Sequence, residues 1–216
     1  MNAKTFVKEH ISFGWETFKK RPWIFVSAFL VVLAVLAVES ILESPFHDGA
    51  MESVASLINW IISSFVGMGL VSFALKAEKD AASVSLRDLW APTRFWKYLL
   101  LTLVTMIILV PAYILLIVPG IFLSVCFVFA PYLVVDKDLG PIEALKASWS
   151  MTKGHRWNLF FLGLAAIGLS IVGFVFLFVG LLVTTPVIML AMAHAYRSFE
   201  PGEATLPLDI PPAPEA

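Results

Sequence analysis

Two long stretches without lysine, arginine, aspartate or glutamate constrain this chain more than any other feature. One runs from Tyr98 to Val135 and the other from Trp157 to Tyr196. A helix needs about 20 residues to cross the hydrocarbon core of a bilayer. Each stretch is therefore too long for one membrane-spanning helix and long enough for two.

The composition agrees with a membrane protein. Of the 216 residues, 59% are hydrophobic and 14% are charged, and the mean hydropathy is +0.88. Soluble domains average about 25% charged residues. These values exclude an ordinary soluble protein, a disordered protein and a nucleic-acid binder that works through bulk charge. The single cysteine, Cys126, excludes an internal disulfide and a multi-cysteine metal site.

The apolar segments predict six membrane spans. The Pro119-Gly120 dipeptide is the predicted turn of the first uncharged stretch, and the second is predicted to break near Phe178-Val179-Gly180. A cleaved signal peptide ending near Val35-Leu36-Ala37 is the alternative for the first segment, but a helical pattern already precedes that segment. The spans cover about 22–42, 52–75, 95–117, 119–135, 157–177 and 180–197.

The distribution of basic residues predicts the topology. Of the fifteen lysines and arginines, five precede the first span, four lie between the second and third with Lys97 at the start of the third, four lie between the fourth and fifth, and Arg197 lies at the end of the sixth. The other connections carry none, and the first of them carries Glu43, His47, Asp48 and Glu52 instead. Basic residues concentrate on the cytoplasmic side of membrane proteins. Both termini are therefore expected in the cytoplasm.

An internal repeat precedes the spans. Two copies place tryptophans eight residues apart with a lysine midway, at Trp15 and Trp23 and again at Trp149 and Trp157. A degenerate middle copy contains Trp96. Each copy predicts an amphipathic helix followed by a two-span hairpin. Hairpins repeated in one orientation are typical of an arrangement around an axis along the membrane normal, so a three-part ring is possible.

The amphipathic helices are predicted over about 4–19, 84–91 and 141–153. In the first, Phe6, Ile11 and Phe18 fall on one face, opposite Lys8 and Lys19. Such helices are expected at the membrane surface, where they orient the hairpins or form a docking surface for a partner or anionic headgroups. Pro141 and Gly154 suit the start and stop of the third. The expected interface anchors are Trp15, Trp23, Trp96 and Trp157.

Ionisable groups inside a membrane are the default candidates for function. Glu39 lies near the outer end of the first span and His194 near the inner end of the sixth, and neither has an obvious charged partner in another span. No protease, hydrolase or phosphate-loop signature occurs, so no catalytic, cofactor-binding or metal-binding residue is predicted.

A recognisable order of residues covers about 119–160: Pro119, Gly120, Pro131, Asp136, Ser148, Trp149, Lys153 and Gly154. With these residues the region resembles the membrane domain of some bacterial glycerophosphoryl diester phosphodiesterases and related stand-alone inner-membrane proteins that are functionally uncharacterised. The resemblance implies a bacterial inner membrane and an envelope or lipid context. It does not imply the phosphodiesterase activity, because that chemistry belongs to a separate soluble domain for which this chain has no room.

The sequence thus predicts an all-α integral membrane protein of six spans in three hairpins, with a membrane domain over 1–199 and a disordered cytoplasmic tail over 200–216. A non-enzymatic scaffold or accessory subunit is the leading hypothesis for its function. A transporter or permease for a small or amphipathic solute is the alternative. The expected partners are the lipid bilayer, anionic headgroups and a membrane-protein partner or second copy, with no nucleic acid and no cofactor.

Overall fold

The computed structural model describes residues 3–43, 50–90, 94–175 and 180–200. In these ranges all regular secondary structure is helical, so the predicted all-α fold is confirmed for them. The predicted break near Phe178 and nearly all of the predicted tail lie outside these ranges. The α-helices are α1 (Ala3–Lys20), α2 (Pro22–Glu43), α3 (Ala50–Lys79), α4 (Phe95–Leu115), α5 (Ile117–Phe127), α6 (Ala130–Lys137), α7 (Pro141–Thr152), α8 (Arg156–Val175) and α9 (Leu181–Phe199).

Within the described ranges, five helical segments are long and apolar enough to cross a membrane. They are Pro22–Ile41, Glu52–Lys79, Phe95–Leu115, Ile117–Lys137 and Arg156–Val175. Helix α9 is not among them, and its second half carries the polar side chains His194 and Arg197. The sixth span and the arrangement in three hairpins remain predictions.

The break between α4 and α5 lies earlier than the predicted Pro119-Gly120 turn. Leu116 is extended, with φ −160° and ψ 138°, and α5 begins at the next residue. Pro119 therefore lies in the first turn of α5, where its missing N–H leaves no hydrogen bond unmade. Gly120 packs under Tyr113, because a Cβ there would come within 2.5 Å of the ring. Gly120 of the dipeptide thus allows α4 and α5 to pack closely, instead of forming the turn between them.

The connection between α3 and α4 is less helical than predicted. In place of a helix over about 84–91, the structure has one 3-10 turn, Leu86–Leu89. Asp88 closes it by accepting hydrogen bonds from the Ser85 backbone N–H, at 2.7 Å, and from Lys76 Nζ, at 2.8 Å. Burial acts to raise the pKa of Asp88, but these bonds outweigh it and lower the pKa below its usual value.

Helices α3 and α9 hold the bundle together. Helix α3 contacts α2, α4, α6 and α9, whereas α9 contacts α1, α2, α3 and α8. Small buried residues of α9, Ala191, Ala193 and Ala195, let neighbouring helices approach closely. Large apolar side chains stay exposed on the flanks, with Ile107 of α4 at 63% and Ile167 of α8 at 59%. Such a surface suits a lipid environment.

Helix α1 packs along α9 in the opposite chain direction. Phe6 of α1 stacks on Phe199, whereas Gly14 lies against the backbone of Val187 and Ala191. The buried face of α1 carries Phe6, His10, Gly14, Thr17 and Phe18. The apolar face that the sequence pattern assigns to the membrane surface is thus largely covered by protein.

Candidate functional site: a charged network at the basic end

The described helices bring a cluster of charged side chains to one end of the bundle, where α2 and α4 begin and α3, α6 and α9 end. We call it the basic end. At its centre Arg197 of α9 donates two hydrogen bonds to Asp136 of α6, at 2.9 and 2.8 Å. Tyr196 donates a third hydrogen bond to Asp136, at 3.1 Å. A bidentate arginine–carboxylate pair is among the strongest polar contacts in proteins.

Arg197 also joins a third helix to the network. Its Nε lies 3.6 Å from Glu78 of α3, and its Nη1 donates to Glu200 at 2.6 Å. Lys137 of α6 forms a second ion pair with Glu200. Burial acts to raise the pKa of Glu200, but the hydrogen bonds from Lys137 and Arg197 outweigh it and lower the pKa. One guanidinium thus meets carboxylates of α3 and α6 and of the residue that follows α9.

His194 has a charged partner in another helix, contrary to the expectation from sequence. Its Nδ1 lies 3.3 Å from Glu78 Oε1. Phe13 of α1 stacks on its ring, with centroids 3.8 Å apart. No sequence signal links positions 78 and 194, which are 116 residues apart. His194 therefore belongs to the charged network.

His10 brings α1 to the same place, and the sequence analysis did not single it out. Its side chain is buried, its Nδ1 lies 2.8 Å from the Phe6 carbonyl and its Nε2 lies 3.3 Å from Ser198 Oγ. Burial lowers the pKa of His10 from its ordinary 6.5; the contact with the Phe6 carbonyl opposes this, and the nearby His194 adds to it. The buried face of α1 therefore favours a neutral imidazole.

An open cleft of about 230 Å³ lies beside the network. Its walls come from the ends of α3, α6 and α9 and from the start of α4. Four of its side chains are basic and one is a carboxylate. The lining residues are Ser72, Leu75, Lys76, Lys79, Arg94, Val135, Asp136 and Arg197.

Glu39, the other intramembrane candidate, lies apart from the basic end. Its side chain is 6% exposed and accepts a hydrogen bond of 3.2 Å from Ser63 of α3. Its second oxygen, Oε1, is buried without a hydrogen-bond partner among the described residues. The structure therefore places Glu39 and His194 in separate surroundings.

Two narrow crevices between the helices are apolar. One lies between α2, α3 and α9 and includes Phe25, Phe73 and Leu190 in its walls. The other lies between α2, α3 and the segment ending at Trp90. Each holds about 10 Å³, which is at most the space of one water molecule. Neither crevice includes Glu39 or His194 in its walls.

Ser148, one of the positions that carry the sequence resemblance, closes a break in the helix pair α5–α6. Its hydroxyl donates to the Cys126 carbonyl at 2.7 Å and accepts from the Phe129 N–H at 3.2 Å. Thr152 lies at 3.5 Å from the same carbonyl. Pro131 lies in the first turn of α6. Backbone groups freed by the break thus find buried partners on α7.

The other motif positions shape the end of α7. Gly154 has a φ of +87°, a conformation that favours glycine after a helix. Lys153 precedes it as an exposed, extended residue. Trp149 packs against Phe122 of α5, and the Arg156 guanidinium lies 4.4 Å from its ring centroid. These contacts are structural, and no reactive pair is formed.

The four predicted interface anchors all lie on the molecular surface. Trp15 is 45% exposed, and Trp23, Trp96 and Trp157 are 73–83% exposed. Exposed tryptophans are typical of the membrane interface, but their location in a bilayer stays a prediction. In the described part of the chain, no group of three or more His, Cys, Asp or Glu side chains is placed to hold a metal ion.

The comparisons with known proteins are sparse. No curated protein matches this chain, and no solved structure matches it. These results provide no link to the glycerophosphoryl diester phosphodiesterases that the motif resembles. Residues 103–201 match the model of a family described as a protein of unknown function (DUF975). The matched region covers less than half of the chain. It begins within α4, extends through α9 and contains Asp136, His194 and Arg197.

Proposed function

We propose that this chain is a non-enzymatic polytopic protein of the bacterial inner membrane that serves as a scaffold or accessory subunit in an envelope or lipid context. The observation that carries the proposal is that the charge of Arg197 is fully engaged by carboxylates of the same chain. This one side chain contacts Asp136, Glu78 and Glu200. Ionisable groups that neutralise one another hold helices together and leave no poised acid or base for catalysis.

In the proposed topology α9 is the sixth span, the six spans form three hairpins and both termini lie in the cytoplasm. The basic end then faces the cytoplasm, since Lys79, Arg94 and Arg197 all lie there. Helix α7 follows the boundary between lipid and water, whereas α1 lies along α9. The exposed side chains of α7, among them Ile142 at 52%, are available to a partner.

Purification of the full chain from mild detergent tests the scaffold. We expect a partner at fixed stoichiometry that is lost from Ile142→Glu, because a charge would disrupt an apolar contact. The control is Lys8→Ala on the exposed face of α1, which should retain the partner. Repeated purification of the chain alone, or retention of the partner by Ile142→Glu, contradicts the proposal in this form.

A transporter is the second candidate, and the unpartnered oxygen of Glu39 favours it. A solute route would bring water to this carboxylate. In a Cys126→Ala background, Glu39→Cys would then react with a membrane-impermeant thiol reagent. Val38→Cys is the matched control, since Val38 precedes Glu39 and is 55% exposed on the outer flank of α2. Reaction of Glu39→Cys without reaction of Val38→Cys supports a solute route. No reaction of Glu39→Cys supports the scaffold.

A further inference from the structure

We propose that the cleft at the basic end binds a phosphate group, and that the phosphate belongs to the headgroup of an anionic phospholipid. This inference deepens the proposed function and rests on it for the orientation of the basic end in the membrane. The cleft presents Lys76, Lys79, Arg94 and Arg197 around one space, with Asp136 as the carboxylate in its wall. Lysine and arginine side chains both donate strong, charge-assisted hydrogen bonds to phosphate oxygens.

The four cations differ in how firmly they are held. Arg197 is fixed by its carboxylate partners and is only 15% exposed. Lys79 is exposed and forms no ion pair with any residue in the described ranges. It is therefore free to turn towards an anion. Because Arg197 is already committed to three carboxylates, it forms part of the wall, and Lys79 supplies an uncommitted ammonium to the cleft.

Lys76 and Arg94 have partners that an anion can replace. Lys76 pairs with Asp88 at 2.8 Å, and Arg94 pairs with Asp138 at 3.4 Å. Lys76 is 44% exposed and Arg94 is 35% exposed. Ion pairs of such exposure contribute little net stability, because water competes with both partners. Exchange of these contacts for a phosphate therefore costs little.

Asp136 does not prevent anion binding. Both of its oxygens accept hydrogen bonds from Arg197, and one also accepts from Tyr196. Its charge is thereby compensated on the side of α9. The remaining walls are Ser72, which supplies a hydroxyl, and the buried side chains of Leu75 and Val135.

The dimensions and position of the cleft favour a lipid as the source of the phosphate. Its volume of about 230 Å³ lies below the range of roughly 300–1,000 Å³ that is typical of whole small-molecule ligands. It lies where apolar helices end, which is the depth of the headgroups in a bilayer. A headgroup phosphate can enter while its acyl chains stay along the exposed apolar flank. A free phosphate ion is the other source of the same chemistry.

Lipid binding to the purified full chain in detergent tests this site. Phosphatidylglycerol, phosphatidylcholine and inorganic phosphate are added separately, and bound lipid is counted by native mass spectrometry alongside the melting temperature. We expect tight binding of phosphatidylglycerol. The double variant Lys79→Ala/Arg94→Ala should bind it about 30-fold more weakly, because each basic residue near an anionic lipid contributes about 1 kcal/mol.

The control removes the same charge elsewhere. Lys8 and Lys146 are exposed and lie outside the cleft, so Lys8→Ala/Lys146→Ala should weaken phosphatidylglycerol binding far less than the cleft variant does. Lys79→Arg should retain binding, which separates a lost cation from a folding defect. Equal weakening in both double variants overturns the site. Equal stabilisation by inorganic phosphate, with displacement of the lipid, overturns the lipid assignment. None of these readouts requires a protein partner, so the site can fail while the scaffold proposal stands.

Discussion

The hydroxyl of Ser148 donates a hydrogen bond to the carbonyl of Cys126 and joins α7 to the end of α5. Both groups are buried. We expect Ser148→Ala to lower the free energy of unfolding by about 1–3 kcal/mol, because the Cys126 carbonyl and the Phe129 N–H lose a partner away from water. The measurement is the melting temperature in detergent. Ser150→Ala changes an exposed serine of the same helix, and an equal effect of the two substitutions contradicts this role.

The close contact between α1 and α9 at Gly14 gives a second prediction. A Cβ there would lie 2.4 Å from the Val187 carbonyl oxygen, so Gly14→Ala must push the helices apart. We expect a loss of about 1–3 kcal/mol, as is typical of an overpacked contact. Gly163→Ala on α8 meets no atom within 4 Å and should change the melting temperature little. An unchanged melting temperature in Gly14→Ala would show that α1 does not pack against α9 in this way.

Substitutions of Arg197 test whether the stability of the charged network depends on hydrogen-bond geometry or only on charge. Arg197→Lys keeps the charge but cannot form two parallel hydrogen bonds with Asp136, so it should lower the melting temperature. Arg197→Ala leaves several carboxylates near one another and should cost about 3–5 kcal/mol. The exposed Arg87→Lys is the matched control. Full retention of stability by Arg197→Lys would show that the bidentate contact contributes nothing.

His10 predicts a pH dependence of stability. Its pKa is lower in the folded chain than the ordinary value of 6.5, so the unfolded chain binds more protons once the pH falls to that range. Stability is therefore present in full above pH 6.5 and declines as the pH falls below it. Glu9, His194 and Ser198 surround the ring, and all three are unchanged in His10→Gln. We expect a smaller loss of melting temperature between pH 7.5 and 5.5 in that variant.

The control for this pH dependence is His155→Gln, which changes an exposed histidine. It should leave the slope of melting temperature against pH as it is in the unmodified chain. At still lower pH the depressed pKa values of Asp88 and Glu200 should add to the loss, because their stabilisation disappears as each carboxylate becomes protonated. A slope that is identical in His10→Gln would remove His10 as its source.

Membrane orientation gives a fifth prediction. Cysteines introduced into a Cys126→Ala background report which side of the membrane a position faces. We expect Glu52→Cys, at the start of α3, to react with an impermeant reagent added outside intact cells, and Lys146→Cys on α7 to react only after the cells are opened. Both positions are exposed in the structure. The reverse pattern would invert the proposed topology.

Local sequence signals restrict the two ends of one helix closely. The predicted interfacial helix at 141–153 lies close to α7, Pro141–Thr152, because proline at the start and glycine after the end restrict a helix at both boundaries. The turn at Leu116 was not predicted, because Pro119 is equally acceptable within the first turn of a helix. A rule that equates Pro-Gly with a turn cannot detect the ring of Tyr113 above Gly120.

The charged network could not be predicted from one sequence. Asp136 and Arg197 are 61 residues apart, and each lies at the end of an apolar stretch, where a charge is ordinarily explained by hydration. Only packing of α3, α6 and α9 brings the partners within reach. His10 lies four residues after Phe6, so its position fits the buried face of α1, but its contact with Ser198 of α9 could not be predicted.

The antiparallel contact of α1 with α9 also sets an order for biosynthesis. The ribosome completes α1 first, yet the surface that covers Phe6 and His10 is translated only after the seven intervening helices. Until α9 has been translated, the apolar side of α1 contacts lipid or a chaperone instead. Assembly of this end of the protein is thus a late event that a truncation before α9 would abolish, even though every earlier helix had been inserted.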